Sequence, residues 1–261
     1  MKIASWNVNS IRQRESHVLS WLERVQPDVL FLQEIKCTTE QFPALAFTGL
    51  GYRVEAHGQK AYNGVAVLSR VPFTTTHRAL PGLPEDDDQA RYIEIEIDGP
   101  QGGITMIGIY LPNGNSGEEA GYTYKLEWMD RLAERAQELL DDNRELIITG
   151  DFNVCPEVQD LAPGALGPTD ALVRPETRAR YRRLLWLGLT DAIRALYPTD
   201  PVWTFYDYQA AAFERNSGLR IDHALLSPTV AERLISAMPD KAERAKTRPS
   251  DHVPLLVEID R

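Results

Sequence analysis

Two periodicities of apolar and polar residues run through this chain. From Arg91 to Asp98 the period is two: Ile93, Ile95 and Ile97 face one way, and Tyr92, Glu94, Glu96 and Asp98 the other. That alternation predicts a half-buried strand, as in an antiparallel sheet. Ile104 to Tyr110 follows after a gap short enough for a hairpin through Gly99-Pro100. Short apolar runs predict further strands over Lys2–Val8, Val29–Leu32, Gly64–Ser69, Leu146–Gly150, Val202–Tyr206, Ile221–Leu226 and Val253–Ile259. The helical period governs Tyr122 to Leu140, with a stripe of Leu126, Met129, Leu132, Ala133, Ala136 and Leu140. It also governs Ile11 to Val25, through Ile11, Val18, Leu19, Leu22 and Val25, until Pro27 stops it. Arg178–Leu187 and Asp191–Leu196 read as two more helices.

Between these elements, Pro81–Gln89 is acidic and Pro-rich, and Asp160–Pro175 carries Gly164, Gly167 and three prolines; both predict exposed loops. No internal repeat or low-complexity segment interrupts the order. Many strands, few long helices and a mixed sequence of the two predict an α/β fold: a four-layer α/β sandwich, two packed mixed sheets flanked by helices, formed by residues 1–261 as one domain.

Hydrophobic residues make up 43% of the 261, enough for a sizeable core. A net charge of −10 excludes a surface coated in positive charge but leaves room for a local basic face. No basic-then-apolar leader opens the sequence and no apolar run is long enough to span a bilayer, so a cytoplasmic protein is expected. Cys37 and Cys155 suit a reducing compartment; Cys155 has no local histidine base and reads as a packing residue.

Chemistry-bearing side chains recur where predicted strands end. Asp151 and Asn153 follow Leu146–Gly150, Glu34 follows Val29–Leu32, and Ser250-Asp251-His252 precedes the last apolar run. Strand ends are where α/β proteins aim side chains into a shared crevice. Cleaving a phosphodiester needs a hard cation, for which one or two carboxylates suffice. Glu34 and Asp251 could supply them, with Asn7 or Asn9 close by. It also needs a group to deprotonate and align a water, for which Asp151 and Asn153 are spaced, and a cationic donor for the phosphoryl oxygens, for which His252 is placed if Asp222 fixes its tautomer. Each signal alone has a plainer reading. Asp151 suits a helix cap or turn, Ser-Asp-His a loop, and Asn7, Asn9 or Ser10 a cap for the helix that starts near Ile11.

The ordered set Trp6-Asn7-Val8-Asn9, Gln33-Glu34-x-Lys36, Tyr110-x-Pro112-Asn113, Gly150-Asp151-x-Asn153, Gly218-x-Arg220-x-Asp222 and Ser250-Asp251-His252-x-Pro254 resembles the exonuclease III family of apurinic/apyrimidinic endonucleases, part of the endonuclease/exonuclease/phosphatase superfamily. The segment His57-Gly58-Gln59-Lys60 is similar to it too, and the likeness runs from Lys2 to Ile259. The resemblance implies a Mg²⁺-dependent enzyme, with Mn²⁺ as a substitute. It would cut 5′ to abasic sites in double-stranded DNA, clean blocked 3′ ends and act as a 3′→5′ exonuclease, as a monomer.

Residue by residue, the resemblance makes Glu34 the main metal ligand, with Asn7 assisting and Asp251 near the metal or holding His252. Asp151 would handle the proton of the water or of the leaving group, and Asn153 would position water and phosphate; Asp151, Asn153 and His252 also count as metal ligands. Tyr110 would contact the scissile phosphate, Asp222 and His252 would act as a pair, and Asn113 would be a second donor. Asn9 and Arg12 would touch substrate, Asn63 would lie on a loop near it, and Phe205, Leu219 and Ile221 would wall an apolar pocket for the extruded sugar. Core packing is the plainer reading of those three.

Two departures stand out. Leu219 replaces an aromatic that relatives often carry, and Asp160–Pro175 lacks the family's usual Asn and Lys residues. A superfamily phosphoesterase acting on an inositol phosphate or a phospholipid headgroup is the alternative. Tyr110-Leu111-Pro112-Asn113 speaks against it, because several relatives of other specificity, deoxyribonuclease I included, have a His near this place. A non-catalytic binding protein on the same fold is a third reading, against which the full set of acidic and amide residues speaks. Arginines concentrate at Arg174, Arg178, Arg180, Arg182 and Arg183, and again at Arg12 and Arg14, with Lys241–Arg248 a further basic segment. These are candidate DNA contacts, or solvated faces paired with nearby acids.

Overall fold

The structure is a computed structural model that describes residues 1–98 and 103–260. The elements run β1 (Lys2–Asn7), α1 (Ile11–Val25), β2 (Val29–Gln33), α2 (Ala44–Thr48), β3 (Arg53–His57), β4 (Val65–Ser69), β5 (Thr74–His77), β6 (Tyr92–Ile97) and β7 (Ile104–Tyr110). There follow α3 (Glu118–Asp141), β8 (Glu145–Asp151), α4 (Pro175–Trp186), β9 (Thr190–Asp191), α5 (Ala192–Leu196), β10 (Asp222–Leu226), α6 (Pro228–Ala231), β11 (Leu234–Pro239) and β12 (Leu255–Ile259).

Two six-stranded sheets form, in the orders β11-β12-β1-β2-β4-β3 and β5-β6-β7-β8-β10-β9. Each has a parallel pair at its centre, β1 with β2 and β7 with β8, and antiparallel strands outside it. The inward faces meet in one apolar cluster that includes Ile3, Val29 and Phe31 from one sheet and Ile93, Ile95, Met106 and Ile147 from the other. Gly108 permits this approach, since a Cβ there would sit 2.2 Å from the Phe31 ring. Outside the first sheet, α1 buries Ile11, Val18, Trp21 and Leu22. Outside the second, α3 buries Trp128, Met129, Leu132, Ala133, Ala136 and Leu139. Each such large side chain is worth about 1.5–3 kcal/mol of burial. The expected four layers are therefore present.

Several readings need adjusting. The α3 stripe is rotated, with Leu126 and Leu140 at its margins and Tyr122, Lys125, Trp128 and Leu139 buried. Val202–Tyr206 is not a strand; Phe205 makes isolated bridges to Leu219 and His252. Asp160–Pro175 is exposed only in part: Asp160, Ala162, Ala171, Leu172 and Val173 are buried. The helix expected at Arg178 starts at Pro175. β6 and β7 pair as expected, while the Gly99-Pro100 turn lies outside the described residues. The two cysteines are buried and unbonded. Among the described residues no helix is long and apolar enough to cross a membrane.

Candidate active site

The topology decides where the polar residues meet. Both central parallel pairs end at one edge of the sandwich, so the C-terminal ends of β1, β2, β7 and β8 deliver Asn7, Gln33-Glu34, Tyr110 and Asp151 to that edge. Antiparallel β10 starts there, opposite Asp151, with Asp222. His252 joins them just before β12. The chain turns sharply as it leaves the strands: Asn9, Glu34 and Asn153 have φ of 43°, 49° and 49°. A left-handed backbone costs a residue such as Glu34 about 1–2 kcal/mol. Cross-strand bonds hold it there, from the Ser10 N–H to the Glu34 carbonyl (2.7 Å) and from the Lys36 N–H to the Asn63 carbonyl (3.0 Å).

Asn7 is the hub. Fully buried, its Nδ2 donates to Glu34 Oε1 and to Asp151 Oδ2, each at 2.9 Å, so one amide spans carboxylates from the two sheets. Its Oδ1 accepts the Asn9 N–H at 3.0 Å. Asn7, expected as a metal ligand, bridges the two carboxylates in this structure. Asp151 Oδ1 accepts the Asn153 N–H at 2.9 Å. His252 lies between two acids: Nδ1 is 2.8 Å from Asp222 Oδ2 and Nε2 is 3.7 Å from Asp151 Oδ2. Asp222, and not Asp251, therefore holds the imidazole. Asp251 Oδ1 instead accepts from Asn9 Nδ2 at 3.1 Å, and Asn9 Oδ1 in turn accepts from Lys36 Nζ at 2.6 Å.

Burial pushes the Asp151 carboxyl well above the usual carboxylate range; the His252 charge opposes the rise and Asp222 adds to it. Burial disfavours the His252 imidazolium, but Asp222 and Asp151 outweigh it and hold the pKa above the usual value. Burial works against the Glu34 charge too, yet the Lys36 ammonium at 2.8 Å and the Asn7 amide keep Glu34 below the usual range. Burial, then Glu34 and Asp151, push the Tyr110 phenol well up. The Arg91 guanidinium stacks 4.7 Å from the Tyr110 ring centroid.

Asn113 and Asn153 join this edge through a bond of 3.0 Å between Asn113 Nδ2 and Asn153 Oδ1. Asn63 is buried and turns its amide to Gln59. Phe205 stands edge-on to His252, with ring centroids 5.0 Å apart. Beside it opens a cavity of about 360 Å³ lined in part by Phe205, Leu219, Leu166 and Arg215. Phe205 and Leu219 line this cavity; Ile221 does not, and is buried in the apolar cluster that holds both of them.

The arginines divide differently from expectation. Arg12 is exposed near Asn9, but Arg14 is buried, donating to the carbonyls of Asn9, Arg248 and Pro249 and to the Tyr208 hydroxyl. Arg14 fastens α1 to the loop before His252. Arg180 and Arg183 pair with Asp130, Arg182 with Glu157 and Arg174 with Glu119 and Glu176, so the long arginine run serves largely to pack α4. Lys36 carried no role of its own in the sequence reading, and Arg91 and Lys125 were not singled out as site residues. Lys36 lies inside the Glu34 motif, and Lys125 stands on the buried face of α3, an unusual place for a lysine.

Oxygen donors dominate the site. Ligand atoms of Asp151, Asp222 and His252 lie within 4.8 Å of one another, and the buried Asp222 Oδ1 has no hydrogen-bond partner among the described residues. Glu34 Oε1 and Asp151 Oδ2 also converge, each 2.9 Å from the one Asn7 amide nitrogen, and such a set of carboxylate oxygens suits a hard divalent cation.

A profile of the Endonuclease/Exonuclease/phosphatase family matches residues 4–252. Exodeoxyribonuclease III of Haemophilus influenzae is 35% identical over 99% of this chain and all of its own length. The chain belongs to the exonuclease III branch of the endonuclease/exonuclease/phosphatase family. Solved members of the branch superpose throughout. A 3′ phosphatase from Neisseria bound to a product DNA hairpin matches with a TM-score of 0.93 and 37% identity, each chain fully covered. An AP endonuclease from Archaeoglobus fulgidus matches with 0.91 and 36%, again over both full chains. Within this family the fold is the expected α/β sandwich and the chain is a phosphodiester hydrolase of nuclease type.

Proposed function

We propose that the protein is a Mg²⁺-dependent DNA repair nuclease that cleaves 5′ to abasic sites and removes blocks and nucleotides from 3′ ends of duplex DNA. The observation that carries this reading is the Asn7 amide clamped between Glu34 and Asp151, with His252 between Asp151 and Asp222. The relatives' named activities on DNA support the substrate class.

Glu34 and Asp151 would hold the cation from either side of Asn7, with Asp251 on the far side of Asn9. The cation would neutralise charge on the phosphate and on the departing oxygen. Asp151, held by Asn7 and facing His252, takes the proton of the attacking water. The His252 imidazolium, held by Asp222, donates toward the phosphoryl oxygens, as do Asn153, Asn113 and Tyr110. Phe205 and Leu219 wall the cavity for a sugar that carries no base, since extrusion costs least where nothing must unstack. The enzyme acts as a monomer in the cytoplasm on this reading.

Cleavage of an abasic duplex should disappear in chelator, return with Mg²⁺ or Mn²⁺, and require more metal in Glu34→Ala. Undiminished cleavage by that variant at low Mg²⁺ would remove Glu34 from the ligand set.

DNA affinity should fall with salt by a slope of roughly −0.9 per phosphate neutralised. Exposed Arg12 is the one of the α1 pair positioned to contribute. Arg12→Ala should flatten the slope by about 0.9 and leave the melting temperature alone. Arg14→Ala should lower the melting temperature, because the carbonyls of Asn9, Arg248 and Pro249 lose their donor. An unchanged slope in Arg12→Ala would assign the phosphate contacts elsewhere.

A further inference from the structure

Lys125 is fully buried in α3, on the face that packs against the second sheet. A buried ammonium is costly unless its donors are used, and here they are used on one place. Nζ donates to the backbone carbonyl of Asn153 at 2.6 Å and to that of Asn113 at 3.0 Å. These are the two residues whose side-chain amides bond each other at the site edge. Asn153 is then committed at every polar group: its N–H to Asp151, its Nδ2 to the Leu111 carbonyl, its Oδ1 to Asn113 and its carbonyl to Lys125. Two of those bonds, at Nδ2 and Oδ1, restrict the side chain. The other two, at its N–H and its carbonyl, pin a backbone at φ 49°, a left-handed conformation that asparagine tolerates.

A second observation ties the lysine stem to the other arm. Gly114 follows Asn113 with φ 85°, and a Cβ there would meet Lys125 Cδ at 2.7 Å and Ala171 Cβ at 3.2 Å. The loop thus runs directly over the lysine stem. Asn115 then latches it to the next turn, through its Nδ2 to Asp170 and its Oδ1 from the Ala171 N–H.

We infer that Lys125 is a positioning residue for the nuclease: its Nζ donors fix the Asn113 and Asn153 turns in register, so that both amides present to one phosphate. It never touches substrate. The inference rests on the proposed nuclease reading, and concerns the hydrogen bonds of Lys125 rather than its charge.

The test measures kcat and KM on an abasic duplex for the wild-type chain, Lys125→Met, Lys125→Arg, Asn153→Ala and the double variant Lys125→Met/Asn153→Ala. Melting temperatures are recorded alongside. Misplacing a reacting group by about 1 Å can cost roughly 10²-fold. Lys125→Met should lose about that much in kcat with KM little changed. Lys125→Arg, which keeps two donors, should be faster than Lys125→Met. In the Asn153→Ala background, Lys125→Met should cost less than it does alone, because one of the two groups it positions is gone.

Wild-type kcat retained by Lys125→Met, the same fold-loss in both backgrounds, a change confined to KM, or an arginine variant no faster than the methionine one would overturn the inference. If Lys125→Met does not fold, Lys125→Gln takes its place in the same cycle, with the same outcomes on each side. A wild-type chain that leaves the duplex intact would instead refute the nuclease reading itself.

Discussion

Asp151→Asn is expected to lose about 10²–10⁴-fold in turnover, the usual worth of a general base, and yet to melt at a higher temperature than the parent at pH 8 in metal-free buffer. The first half follows from geometry: Asp151 is the carboxylate that both Asn7 and His252 face. The second follows from linkage. Burial raises the Asp151 pKa in the folded protein above its ordinary 3.8. The stability associated with the protonated carboxyl is thus full below that value and is lost as pH rises through the raised pKa. Asparagine resembles the protonated form and avoids the loss, at the expense of a poorer contact with the Asn7 amide. Each kcal/mol recovered would raise the melting temperature of a chain this size by about 2–4 °C. Calorimetry of both proteins at pH 8, beside single-turnover kinetics, checks the pair of outcomes. Slow turnover with a lower melting temperature would make Asp151 a structural carboxylate.

Asp222→Asn and His252→Asn should behave as one lesion. Each alone is expected to slow turnover by a factor on the order of that for a lost acid–base group, about 10²–10⁴, and the double variant should be about as slow as the worse single one. The reason is the bond of 2.8 Å between Asp222 Oδ2 and His252 Nδ1, which selects the tautomer and stabilises the charge. The pH profile adds a separate readout. Asp222 is the first of the groups that raise the His252 pKa from its ordinary 6.5. In the wild type the imidazolium therefore persists above neutrality; in Asp222→Asn it should be lost at lower pH, moving the alkaline limb of activity down. Additive losses in the double-mutant cycle, or an alkaline limb that does not move, would dissolve the pair.

How much of this the sequence carried depended on whether a signal was local. Asp151, Glu34, Asp222 and His252 each lie beside a strand whose pattern is plain, so their meeting at one sheet edge was readable once the strands were placed. Partners distant in sequence were not readable. Arg14 looked like a free cation until folding brought it to the carbonyls of Arg248 and Pro249. Asp222 was legible as the partner of His252, but the sequence left Asp251 a second candidate, and only folding turns Asp251 to Asn9 instead. Edge strands were missed for a physical reason: β5 reads Thr-Thr-Thr-His and β3 carries Arg, Glu and His, since one side of an edge faces water and demands no apolar alternation. Val202–Tyr206 was apolar enough to read as a strand, but it is a single extended crossing that bridges to both neighbours only at Phe205. Lys125 hid in the helical period because a charged residue on an apolar stripe reads as a break in the pattern rather than as part of the site.

The most direct measurement is the chemistry of the ends left on a duplex that holds one abasic analogue and carries a label on either side of it. With Mg²⁺ the account predicts a single incision on the 5′ side of the analogue, leaving a 3′-hydroxyl on the upstream fragment and the sugar phosphate on the downstream one, with no product in chelator. Incision on the 3′ side, a 3′-phosphate upstream, or an intact duplex together with release of phosphate from a soluble inositol phosphate would contradict it.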